Sequence, residues 1–113
     1  MLQTAIQEIE TRSELEQLIR DNENVMVCCG RMGPMCIPVY ESMEELEEER
    51  EHVKFFSMAF DSPESAVIKQ APLCSGFMGL PFTVYYKNGE MVKATSSIQS
   101  REQITAILDA HLS

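Results

Sequence analysis

Positive charge is in short supply in this sequence. Nine Lys and Arg stand against eighteen Asp and Glu, for a formal net charge of −9 and a pI near 4.6. A surface of that sign repels phosphate backbones and anionic lipid head groups, so neither nucleic acid nor a membrane surface is an expected partner. Long apolar runs are missing as well, and no segment suffices to span a bilayer. The opening stretch MLQTAIQEIETRSELEQLI has no basic n-region followed by an apolar run, and a cytoplasmic location is expected. The four cysteines, at 28, 29, 36 and 74, form no Cys-x-x-Cys pair. That spacing argues against structural zinc, and without an export signal a disulfide scaffold is not expected. No Ser-His-Asp arrangement, phosphate loop or pair of catalytic carboxylates stands out, and no cofactor is implied. His52 and His111 lie far apart among surface-type residues near helix ends, where a cation beside a helix C-terminus accounts for them.

What remains is an ordinary globular composition, 44% hydrophobic and 24% charged, in a chain long enough for one core and too short for two. With no repeat, low-complexity tract or linker to divide it, the chain reads as a single domain over 1–113. Eight methionines are several times the usual share, and methionine serves both as a gap-filler and on adaptable binding surfaces.

The periodicity alternates between strand and helix. TAIQEI alternates weakly, as an edge strand would, and TRSELEQLIRDN places Leu15, Leu18 and Ile19 at helical spacing behind a Thr/Ser start. NVMVCCG is continuously apolar and ends at Gly30, the pattern of a central strand covered on both faces. In MGPMCIPVYESMEELEEEREH, Cys36, Val39, Tyr40, Met43 and Leu46 recur at helical spacing. A helix beginning near Met32 with Pro34 in its first turn follows, and Pro38 in its interior predicts a kink. A second buried strand, VKFFSMAFD, precedes a short helix announced by DSPES; FTVYYKNGEMVKAT is a hairpin turning at Asn-Gly; SREQITAILDAHL is a capped helix. The order β-α-β-α-β-α-β-β-α describes an α/β layered domain.

That order, with Gly-Pro at a helix entrance and GLPFTVYYKNGE before the hairpin, resembles the thioredoxin family over essentially the whole chain. The resemblance implies a thioredoxin fold, a central mixed sheet flanked by helices on both faces, with a cis peptide bond at Leu80-Pro81. The family's site reads Trp-Cys-Gly-Pro-Cys. Alignment on Gly33-Pro34 places Arg31 at the tryptophan, Met32 at the attacking cysteine and Met35 at the resolving one. The buried acid and the lysine that serve the resolving thiol in the family correspond to Met26 and Ser57. A thioether has no ionisable proton and forms no ordinary disulfide, so the classical reaction is not expected.

Three functions are compatible with these residues. The first and favoured one is a non-catalytic protein- or peptide-binding module, whose groove is lined by Arg31, Met32, Met35, Phe77, Met78, Leu80 and Pro81; the resemblance implies that an extended partner pairs with the backbone preceding the proline. The second is an atypical oxidoreductase serving cell redox homeostasis, with Cys36 paired to Cys29 or Cys74. A helix start lowers a thiol pKa, and Cys74 is expected to be more exposed than the strand cysteines. Cys36 also continues an apolar stripe, and Cys28 and Cys29 point to opposite faces of a strand, so core packing competes with chemistry for all three. The third is Cu(I) binding by Met32, Met35 and Cys36. The glutamate run EELEEEREH reads as a solvated helix face.

Overall fold

The computed structural model describes residues 4–112. A five-stranded sheet forms the middle layer: β1 (Gln7–Ile9), β2 (Asn24–Gly30), β3 (Lys54–Ala59), β4 (Phe82–Lys87) and β5 (Glu90–Ser96), in the spatial order β1-β3-β2-β4-β5. The β1/β3 and β2/β3 pairs are parallel, while β2/β4 and β4/β5 are antiparallel. The four helices are α1 (Arg12–Asp21), α2 (Ile37–Glu49), α3 (Ala66–Lys69, entered through a 3-10 turn at Pro63–Ser65) and α4 (Arg101–His111). This is the alternation that the periodicity predicts, with the weak first strand at a sheet edge.

Local chemistry sets the boundaries. The Thr11 hydroxyl accepts the Glu14 N–H at the start of α1, and Ser100 with Gln103 closes a reciprocal capping box on α4. The β4–β5 turn uses Asn88 at φ 53° and Gly89 at φ 83°, the left-handed pair that a two-residue hairpin demands. The Leu80-Pro81 bond is cis.

The sheet divides the core in two. Met26, Cys28, Tyr85, Phe55 and the inner faces of α2 and α4 (Val39, Tyr40, Met43, Leu46, Ile104, Leu108) fill one side. Val25, Val27, Cys29, Phe56, Met58, Val84 and Tyr86 meet Leu15, Ile68 and Cys74 on the other. Every residue of β2 is buried, as its unbroken apolar run requires.

One boundary corrects the sequence reading. Helix α2 begins at Ile37, not near Met32, and residues 32–36 form turns in which Gly33 C=O accepts the N–H groups of Cys36 and Ile37. Pro38 therefore sits in the first helical turn, where its missing N–H costs nothing, and the expected interior kink has no cause. A helix starting four residues earlier would drive the Pro38 ring against the Pro34 carbonyl.

Candidate functional site

The candidate site lies where β2 ends, and its geometry follows from a missing side chain. A Cβ on Gly30 would stand 2.7 Å from Cys36 Sγ, 3.0 Å from Pro81 Cβ and 3.2 Å from Tyr40 Oη. Glycine thus lets the β2–α2 loop, the first turns of α2 and the proline loop close on one point. The Arg31 N–H donates to Cys36 Sγ at 3.3 Å, which turns that sulfur inward at the N-cap of α2. The Arg31 side chain runs the other way. Its guanidinium makes two bonds to Asp61, at 2.8 and 2.7 Å, and lies 5.5 Å from the centre of the Phe60 ring. These contacts join the loop after β2 to the loop after β3, and the Arg31 pair holds the Asp61 carboxyl below its ordinary range.

The sequence-derived groove residues fall into two groups. Met32 (38% exposed), Met35 (42%) and Met78 (94%) face solvent, whereas Pro81 is buried and Leu80 packs against both halves of the core. Phe77 is drawn inward by an edge contact with Phe82, 5.4 Å between ring centres, and contributes to packing more than to an open surface. Sequence reasoning missed Ile37, Leu73 and Ile98, which join the three methionines as the exposed large hydrophobics among the described residues. All six lie in or just beyond the connections β2–α2, α3–β4 and β5–α4 at one end of the sheet. Ile98 carried a signal, an isolated apolar residue within SSIQS. Leu73 carried none, because nothing local distinguishes it from its buried neighbour Cys74.

All four thiols are free and buried. Cys74, expected to be the more exposed one, is 2% exposed, because the 3-10 turn at Pro72–Cys74 rolls it under the sheet. The couples suggested by sequence, Cys36 with Cys29 or with Cys74, join thiols that the sheet separates: Cys36 shares its face with Cys28, and Cys29 shares the other with Cys74. Burial pushes the Cys28 thiol well up, with the neighbouring Cys36 and Cys29 adding to it. It pushes Cys29 up to about 12 and raises Cys74. These three are thiols, not thiolates, at neutral pH, and the thiol is the unreactive form. The soft donors of the copper reading diverge, since Met32 and Met35 are exposed while Cys36 Sγ faces Gly30. Among the described residues no three His, Cys, Asp or Glu side chains cluster as metal ligands, and no helix is long and apolar enough to cross a membrane.

No family model matches the chain, and no curated protein sequence does. Solved structures do. A thioredoxin of Plasmodium falciparum superposes with TM-score 0.77 at 18% identity, covering 94% of this chain and 99% of its own. The Fasciola hepatica thioredoxin gives 0.77 at 22%, with coverage of 94% and 99%. Thioredoxin f2 of Chlamydomonas reinhardtii gives 0.74 at 14%, with coverage of 95% and 97%. At such identities the likeness establishes the fold.

Proposed function

We propose that this thioredoxin-fold chain is a protein- or peptide-binding module that engages an extended segment at the sheet end around Pro81, without disulfide exchange. One observation carries the reading: the six exposed large hydrophobics among the described residues sit at that one end. Exposed apolar side chains scattered singly over a surface need no explanation, but their concentration around one set of loops does. Three of the six are methionines, whose unbranched, polarizable side chains repack around varied partners. The positions that resemble the exchange cysteines carry thioethers, and Cys36, whose sulfur converges with Pro81 on Gly30, is buried. Partner contacts through the backbone at Leu80 would follow the strand-addition mode, which requires no thiol.

An atypical oxidoreductase is the second reading, favoured by Cys36 lying at the N-cap of α2 against Pro81. It requires Cys36 to find a partner thiol, and Cys28 is the cysteine on its face of the sheet.

The test is a selection from a random dodecapeptide library on the wild-type protein, counter-selected on a Met32→Asp/Met78→Asp variant, beside an insulin-reduction assay coupled to thioredoxin reductase. The binding reading expects peptides that depend on the two methionines and no reduction above the uncatalysed rate. Insulin reduction that disappears with Cys36→Ser would replace it with the second reading.

A further inference from the structure

The outward face of α2 is continuous with the apolar end. Ile37 begins a stripe that continues, at spacings of three and four, through Glu41, Glu44, Glu45 and Glu48. Four glutamates of this stripe line one shallow concavity. Some of the helix's acids are engaged within the chain. Glu44 accepts from the Thr4 hydroxyl and the Ala5 N–H, and Arg101 bridges Glu45 and Glu49. Glu41 and Glu48 have no ion-pair partner among the described residues. Like charges three and four residues apart on a helix are destabilising, and among the described residues no ion pair offsets that cost at Glu41 and Glu48. Glu47, at the margin of the stripe, has its carboxyl raised by burial first and then by Glu44 and Glu48.

Resting on the binding reading above, we infer that the partner is a basic, apolar extended peptide segment. Its apolar side chains sit on Met32, Met35, Ile37 and Met78, and Lys or Arg residues beside them lie over Glu41 and Glu48. Charge complementarity selects this occupant. A second copy of the chain would bring another net −9 and the same acidic stripe to the interface, and like-charge juxtaposition opposes that contact. An acidic segment meets the same repulsion. A basic one is steered toward the site from beyond contact distance and relieves the repulsion along α2 on arrival.

The dodecapeptides selected on the wild-type protein supply the test. The inference expects Lys and Arg to be enriched within a few positions of Met, Leu, Ile or Phe. The tightest peptide and a version with Gln for every Lys and Arg are then titrated by fluorescence anisotropy at low and high salt. The neutral version should bind about tenfold more weakly at low salt, and the difference should shrink severalfold at high salt. A Glu41→Lys/Glu48→Lys variant should lose about tenfold for the basic peptide and little for the neutral one. Met78→Asp should weaken both. Thermal unfolding of each variant checks that it is folded. Methionine-dependent binders with no basic enrichment and a flat salt response overturn the charge inference while leaving the binding reading intact. Basic peptides indifferent to Glu41→Lys/Glu48→Lys overturn the placement on α2. The absence of any methionine-dependent binder overturns both readings together.

Discussion

At position 30 a single hydrogen stands where any other residue would bring a carbon into contact with Cys36 Sγ, Pro81 Cβ and Tyr40 Oη. A Gly30→Ala protein should lose about 1–3 kcal/mol, since all three obstacles belong to buried residues. Urea denaturation measures the loss, and adding Cys36→Ala should return part of it by removing the 2.7 Å clash. A loss below about 0.5 kcal/mol would mean that the three loops do not meet as described. This convergence could not be read from the sequence. The Met32–Met35 loop and Pro81 were legible through a motif, because turn chemistry and a Gly-Pro pair are local. That Tyr40 and Cys36 fold back onto Gly30 is a tertiary fact which no spacing of six or ten residues encodes. The fate of Cys74 was hidden for the same reason. A three-residue turn decides whether its side chain points out or in, and it points in.

At the scale of the element, β2 places two consecutive thiols, Cys28 and Cys29, on opposite faces of a fully buried strand. The alternation was legible, because side chains on a strand must alternate. Its consequence for pH dependence is direct. An unfolded thiol ionises near pH 8.5, whereas burial holds Cys29 up to about 12 and Cys28 also well above its ordinary value. Each group keeps its proton longer in the folded state. Its contribution is therefore complete below the unfolded pKa and is lost as pH rises toward the folded one, by about 1.4 kcal/mol per pH unit per thiol. Burial also raises the phenols of Tyr40, Tyr85 and Tyr86, which deepen the loss above about pH 10. Denaturation midpoints taken from pH 7 to pH 11 should fall progressively on the alkaline side. A Cys28→Ala/Cys29→Ala protein should start less stable and show the shallower slope, and parallel curves for the two proteins would contradict the assignment. The start of α2 was the element least legible in the sequence. Pro34 mimics a first-turn proline, and the apolar spacing from Cys36 onward does not reveal that Pro38 holds that role.

For the whole molecule, the alternation of periods and the Asn-Gly turn were enough to identify an α/β domain, and the stretch around Pro81 pointed to the thioredoxin fold. Strand order and the sorting of the four cysteines into two half-cores required the structure. So did the gathering of exposed apolar residues at one end, because the β2–α2, α3–β4 and β5–α4 connections that carry them are adjacent only in space. The same architecture that in thioredoxins presents a dithiol here presents thioethers outward and keeps its thiols inside. The claim that this end of the sheet binds and does not exchange disulfides is tested most directly by thiol-trapping mass spectrometry of the protein equilibrated in a series of glutathione redox buffers. The account predicts four free thiols throughout the cytosolic range, about −220 to −320 mV. A defined, reversible intramolecular disulfide that includes Cys36 within that range would contradict it.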